Sequence, residues 1–506
     1  MSQANRIFDA IQRHAEETPH HLALTGSDSS FTYAQLLSAI ERAEAMLAGL
    51  GNRLGLALAN SPAWAAIELA ALRLGMTEIP LPSFFSAEQI AHTIKDSALD
   101  LVVTDQPRRI RDILHANGIS LIGKQEIFLC GKQLTLYQLE LAGRKTLPPD
   151  TSKVTYTSGT TGKPKGVCLG AESMQQVAFS LLQATVASSA DRHLSLLPLT
   201  TLLENIAGLY VPLLAGATCV VLPGEQVGLV GNSLDAGRML DTLNRMRATT
   251  TIMTPELLHA LVRAIEAGHA RPYHLRYVAV GGASVSRQLL YRAEQVGLPV
   301  FEGYGLSECA SVVAVNTLSH YRPGTVGKPL PHVSLKFTAE NEILVKGASL
   351  LGYAGEQDNG LHDGYLATGD IGHLDEDGYL HISGRKKNIF ITSFGRNVAP
   401  EWVERELTMS KAIAQAVVFG EARPWNAAVI VPRAQATSAE IDEAIAEVNE
   451  NLPDYAQVLC WILADAPFTD HNGQLTVNGR LRREVIWQAY QSRINALYED
   501  SHDVVL

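Results

Sequence analysis

The chain is poor in cysteine, and the few it has are scattered. Cys130, Cys168, Cys219, Cys309 and Cys460 are five among 506 residues, and no two share a CxxC spacing. That excludes a zinc knuckle and a dithiol redox motif, and an odd, dispersed set suits a reducing compartment. Charge is also sparse at 18%, and its balance is −11, so the broad basic face that non-specific nucleic-acid binding needs is missing. An anionic substrate would have to be met by a local cluster of cations. The N-terminal MSQANRIFDAIQRHAEE is polar and amphipathic and lacks the apolar core of a secretory signal, so a cytoplasmic location is expected. One uncharged stretch, NIAGLYVPLLAGATCVVLPG from Asn205 to Gly224, imitates a membrane span. Gly208, Pro212 and Gly216 interrupt it and TCVVL is β-branched, which predicts a buried helix, a turn and a buried strand instead. Contact with a membrane, if there is any, is then expected to be peripheral.

What is present is a rhythm. RLGLALA reads as a strand; Ser61-Pro62 caps and starts a helix over SPAWAAIELAALRLG, closed by Gly75; TEIPLP is the next strand. RHLSLLPL, TCVVLP, TTTIMTP, RYVAVGG and PVFEGYG repeat the pattern with helices between them. The expected fold class is α/β, a large N-terminal domain of mainly parallel sheets flanked by helices. Residues 331–383 add a β-rich part with EILVKG and GYLHISG. Beyond Gly384 the sequence turns basic, then helical. QAVVFG and AAVIVP predict a strand pair around a Pro-containing turn, and Thr437 with Glu440 predicts a capping box at a helix start. The expected domains are 1–384 and 385–506, the second a small α+β domain.

Residues 153–167, KVTYTSGTTGKPKGV, look like a phosphate cradle, but not a Walker loop. Only Thr160 and Thr161 separate Gly159 from Gly162-Lys163, and Pro164 follows where Ser or Thr is needed. Its companions identify it. FTYAQL (31–36), GYGLSE (303–308), ATGDIG (367–372), GRKKNIFITSFGRNVAPEWVE (384–404) and LTVNGRLRR (475–483) occur with it in that order. The set resembles the adenylate-forming superfamily of acyl-CoA synthetases, luciferases and non-ribosomal adenylation domains. It covers the chain from Phe31 to about Tyr490, and the 384–404 stretch is most like the long-chain fatty acyl-CoA synthetase branch.

The resemblance implies a reaction: a carboxylate joins the α-phosphate of ATP, pyrophosphate leaves, and coenzyme A takes the acyl group. It also implies residue roles. Thr157, Ser158, Gly159, Thr160, Thr161, Gly162, Lys163 and Lys165 would wrap the phosphates, with Thr157 and Lys163 contributing to catalysis. Glu308 would hold Mg²⁺, whose other ligands are phosphate oxygens and water. Ser307 would touch the α-phosphate, and Tyr304, between Gly303 and Gly305, would lie near adenine. Gly281, Gly282 and Ala283 would form the adenine-side loop. Asp370 and Arg385 would hold the ribose hydroxyls. Lys387 would be the hinge of the C-terminal domain, and Gly395 would let pantetheine pass.

Two positions depart from the family pattern. Thr201, in LPLTTLLE, stands where many relatives have His, beside the acyl carboxylate; Glu204 is retained. Arg480 stands where the family's catalytic Lys belongs, replacing a compact ammonium by a planar fork. Adenylation then survives with adjusted geometry or is weakened; alternatively Arg480 is one of three surface arginines with Arg482 and Arg483. For the acid, ENIAGLYVPLLAG offers no Asp to meet an ammonium, which disfavours amino acids, and small Ala207 and Gly208 suit an acyl tail. The expectation is a fatty acyl-CoA synthetase. Acyl-carrier protein as acceptor, internal lactone closure, or a weakly catalytic acyl or nucleotide binder remain as alternatives.

Overall fold

The computed structural model describes residues 6–140, 146–157, 165–230, 233–283, 285–356, 359–433, 436–476 and 479–499. Two large sheets form its centre. The nine-stranded sheet has a parallel middle of Val300–Tyr304, Tyr277–Val280, Thr250–Met253, Arg192–Leu194, Thr218–Val220 and Leu22–Thr25. Antiparallel strands close both of its ends. The uncharged 205–224 stretch folds as expected, into helix, turn at Gly216 (φ 75°) and the wholly buried strand Thr218–Val220. Among the described residues no helix is long and apolar enough to cross a membrane.

The eight-stranded sheet is more mixed than the strand–helix rhythm predicts. Thr151–Thr157, Thr77–Pro80, Arg53–Ala57 and Leu101–Thr104 run parallel, but antiparallel pairs flank them on both sides. One flank is a hairpin, Ser120–Leu129 with Lys132–Glu140, whose turn residues Cys130 (φ 50°) and Gly131 (φ 79°) are both left-handed. Such a two-residue turn matches the strand twist, and it needs no crossover helix. The other flank is the pair Thr151–Thr157 and Lys165–Gly170 that brackets the phosphate loop.

The helix Pro62–Arg73 starts at its Ser61 cap as predicted and is buried from Pro62 to Ala71. Its alanines let both sheets approach it, so it joins the largest apolar cluster instead of showing one wet face. Residues 334–385 form an antiparallel five-stranded sheet. The last part of the chain has its own cores around Ile413–Phe419, Asn426–Pro432 and Val458–Leu463. The first two are the predicted antiparallel strand pair, and the Thr437–Glu440 capping box is formed.

Candidate active site

Parallel strands end together at Val280 and Tyr304, and ligands of α/β sheets bind beyond such carboxyl ends. Gly281 leaves the first strand with its Cα facing the Gly303 carbonyl; a Cβ there would lie 3.4 Å from that oxygen. Gly282 follows in the left-handed region (φ 85°), and Ala283 is exposed beside it. Gly303, Tyr304 and Gly305 leave the second strand. A Cβ on Gly305 would fall on the Ser311 carbonyl, so the turn into Ser307–Cys309 requires glycine. Ala310 (φ 48°) and Ser311 (φ 93°) then hold left-handed backbone in succession, a strain that surrounding structure must impose.

Asp370 and Arg385 are cross-strand neighbours in the 365–385 hairpin. Arg385 Nε lies 2.6 Å from Asp370 Oδ1, and the Tyr304 hydroxyl donates to Oδ2 at 2.6 Å. Burial raises the Asp370 pKa, while Arg385, Tyr304 and Arg480 pull it down. Burial, then Asp370, pushes the Tyr304 phenol up. Both carboxylate oxygens therefore already have donors, in the arrangement that two sugar hydroxyls would mimic.

Arg480 comes from the last part of the chain, and its charge acts on Asp370. It sits in a turn where its N–H bonds to Thr476 Oγ1 at 3.1 Å and its carbonyl accepts from Thr476 N at 2.7 Å. The side chain remains exposed, yet enclosure by neighbouring protein and then the Arg385 charge lower its pKa, against Asp370 and Glu308, which raise it. Lys387 shares this field: burial, Arg385 and Arg480 lower its pKa. The neighbouring arginines do other things. Arg483 is an internal partner of Glu404, with Nη1 to Oε1 at 2.7 Å, and Arg482 is exposed. Of these arginines, Arg483 is bound within its own core, while Arg480 is exposed with its charge acting on Asp370.

Glu308 lies near the strand that leaves the 158–164 segment. Tyr353 Oη donates to Glu308 Oε1 at 3.4 Å, and Tyr353 pairs in register with Val167 on the strand that leaves the loop. Lys165 lies over the Tyr353 ring at 5.1 Å and bridges to Glu356 at 3.1 Å. Thr157 faces Lys165 across the hairpin. Ser158, Gly159, Thr160, Thr161, Gly162 and Lys163 lie outside the described residues, as does the Thr157 side chain. Gly395 (φ 72°) is exposed at the turn between Phe390–Ile391 and Asn397–Val398, and a Cβ there would meet no atom within 4 Å.

The acyl-side residues fall on an unusual element, a π-helix over Glu204–Tyr210. Thr201 and Ala207 are half-buried near its start and middle. Gly208 has a local reason to be small: a Cβ would strike Glu204 Oε1 and come 2.6 Å from His193 Nε2. Glu204 and His193 are themselves paired at 2.9 Å inside the core.

Sequence reasoning missed the buried network behind this helix. Lys153 Nζ lies 2.6 Å from Glu68 and 2.8 Å from Glu78, and donates to Asn205 Oδ1 at 2.6 Å. Glu68 also accepts from Trp64, Asn205 and Tyr210. The available signal was two carboxylates inside apolar segments, Glu68 in AAIELAA and Glu78 in TEIPLP; Lys153, in the polar-looking TSKVTYT, gave none.

Comparison with known proteins agrees with this geometry. A model of the AMP-binding enzyme family matches residues 11–352, and one of the AMP-binding enzyme C-terminal domain matches 387–502. A long-chain-fatty-acid–CoA ligase of Mycobacterium bovis is 26% identical, with 98% of each chain covered. A 2-succinylbenzoate–CoA ligase of Staphylococcus aureus is also 26% identical, over 81% of this chain and 86% of its own length. The fold matches an anthranilate CoA ligase in complex with anthranoyl-AMP (TM-score 0.79, 19% identity, 96% of each chain). It also matches the O-succinylbenzoate coenzyme A synthetase of Bacillus subtilis in complex with ATP and magnesium ion (TM-score 0.73, 24% identity, 94% and 98% covered). These relatives are acid–CoA ligases that differ in their acid, and the chain belongs with them to the AMP-binding enzyme family, the adenylate-forming superfamily.

Proposed function

We propose that the protein is an AMP-forming acid–thiol ligase that activates a fatty acid with ATP and passes the acyl group to coenzyme A. A carboxylate oxygen attacks the α-phosphorus, the bond to the β-phosphate breaks and pyrophosphate leaves. The thiol sulfur then attacks the acyl carbon and AMP departs. The observation that carries this reading is the buried Asp370 with Arg385 and Tyr304 on its two oxygens, together with the charge of Arg480, from the last part of the chain, acting on it. Asp370 and Arg385 hold the ribose, and the 157–165 loop receives the β- and γ-phosphates. Arg480 places a cation where the carboxylate and α-phosphate charges crowd together.

Glu308 fits a magnesium ion. Its carboxylate is half-open, with one long contact to Tyr353, and it is a hard oxygen donor. Among the described residues no group of three or more acidic, His or Cys side chains could hold a metal. That suits Mg²⁺ held by one carboxylate and completed by substrate phosphates and water. When bound, it neutralises phosphate charge; Glu308 supplies the protein ligand and Tyr353 orients it.

An apolar acid is favoured because Glu204, the acidic residue of the 204–216 segment, is committed to His193 and unavailable to an ammonium. Lys387 serves as the hinge between adenylation and thioester formation, and Gly395 lies along the pantetheine path. ATP–pyrophosphate exchange across fatty, aryl and amino acids, followed by a thioester assay with CoA, tests the reading. Exchange driven by a free amino acid alone would overturn it.

A further inference from the structure

The eight-stranded sheet ends on Ser120–Leu129, and among the described residues no strand pairs with its outer edge. Along its ten residues, about 33 Å, the outward N–H and C=O groups of alternate residues are a template for another strand. Proteins usually blunt such an edge with a bulge or a lysine. Here the irregularity lies near one end, between Leu121 and Gly123, and Lys124 is offset by Glu126 at 2.7 Å. Ile127 and Leu129 turn into the core, while Phe128 (69% exposed) stands on the other face with Lys124 and Glu126, and Ile122 (64%) is exposed at the irregularity.

The order Ile122, Lys124, Glu126, Phe128 is self-complementary. An antiparallel copy placed about a two-fold axis at Gln125 sets Lys124 opposite Glu126 of the second copy and brings Ile122, at the irregularity, close to its Phe128. Both Lys–Glu pairs then fall on one face, where directly opposed side chains interact. Other registers do worse. An axis at Lys124 or at Glu126 opposes like charges. An axis between two residues sets the exposed row against the core-facing row. We infer that this edge pairs with itself, making an isologous dimer with one sheet running through both copies. The committed occupant is a second copy of the chain, and the charge and apolar match of the strand to its own reverse is what selects it.

Light scattering after size exclusion of the full chain at tens of micromolar tests this, with activity and melting temperature followed in parallel. The wild type should be a dimer. Lys124→Glu opposes carboxylates at both symmetry-related positions and should weaken dimerisation roughly tenfold or more. The double variant Lys124→Glu/Glu126→Lys restores each opposed pair in reverse and should recover the dimer. Ile122→Lys should dissociate it while leaving acid-dependent pyrophosphate exchange unchanged. A monomeric wild type overturns the inference. So does a dimer indifferent to Lys124→Glu, or a double variant that stays dissociated.

Discussion

Glu78→Gln should raise the stability of the ligand-free protein at pH 8 and change it little at pH 5. The buried network holds two carboxylates and one ammonium, all from side chains no more than 3% exposed. Glu68 has hydrogen bonds from Trp64, Asn205 and Tyr210 besides its ion pair. Glu78 Oε2 lies 2.8 Å from Lys153 Nζ, and among the described residues neither Glu78 oxygen has any other hydrogen-bond donor. The surplus negative charge therefore settles on Glu78. Burial, and then the Glu68 charge, push its pKa from 4.5 up to about 7, with Lys153 opposing.

The sign follows from proton counting. Between pH 4.5 and about 7 the folded chain keeps a proton on Glu78 that the unfolded chain has released. Stability from this group is complete below the unfolded value and is lost as pH rises through the folded one. At roughly 1.36 kcal/mol per pKa unit the whole loss is about 3 kcal/mol. Glutamine keeps the size without the titration, so the gain is about 3 kcal/mol at pH 8 and below about 1 kcal/mol at pH 5. For a cooperative unit of about 380 residues, that is an upward shift of about 4 °C at pH 8. Scanning calorimetry at one scan rate and two pH values reads it. Lys153→Met is the contrast: it strands both carboxylates and should cost roughly 3–5 kcal/mol, most of it at high pH. A Glu78→Gln protein that melts below wild type at pH 8 refutes the reasoning, because the ion pair would then outweigh the burial of its charge.

Four further outcomes concern the reaction. Arg480→Ala should slow pyrophosphate exchange about a hundredfold, roughly 3 kcal/mol of lost transition-state contact, and nearly spare thioester formation from supplied acyl-adenylate; wild-type exchange would return Arg480 to the surface. Arg480→Lys then separates a pocket that merely tolerates Arg, where Lys restores or raises the rate, from one built for a guanidinium fork, where Lys is poorer. Glu308→Gln should abolish exchange at limiting Mg²⁺ without changing the melting temperature. Lys387→Pro should slow thioester formation far more than exchange, since fixing φ freezes a pivot; equal losses with a lowered melting temperature would mean a folding defect instead.

The sequence showed those parts of the fold whose signals are local. The Ser61-Pro62 start, the Thr437–Glu440 capping box and the strand–helix rhythm each rest on a few adjacent residues. The 120–140 hairpin was missed because its turn is Cys130-Gly131, without Asn or Asp to announce a two-residue turn. The ordered motifs located Asp370, Arg385 and Glu308, but not that Tyr304 would donate to Asp370. Nor could spacing separate Arg480 from Arg483. One is exposed with its charge acting on Asp370 and the other is bound within its own core, a difference set by tertiary packing. The Lys153 network was least visible, since its three charges come from three separate elements.

That network bears on how the site keeps its shape. Lys153 lies on the strand that runs into Thr157 and the phosphate loop. Asn205 and Tyr210 lie on the π-helix that carries Ala207 and Gly208. Asn205 accepts from Lys153 and donates to Glu68, so strand and helix are tied through one buried carboxylate. On its other side the same helix is fixed by the Glu204–His193 pair, and His193 is held in turn by Thr250 at 3.0 Å. Glu204 and Asn205 are adjacent yet anchor to opposite neighbours. A π-helix carries an extra residue per turn relative to an α-helix and recurs at functional sites because the register shift re-aims side chains. Here it lets consecutive polar residues reach two separate partners while Gly208 leaves room for the second. A substitution that returned the segment to α-helical register would have to break one of these anchors. The strand that leads to Thr157 and the helix that carries Ala207 and Gly208 are therefore held by the same buried contacts, polar residues standing where apolar ones would pack more cheaply.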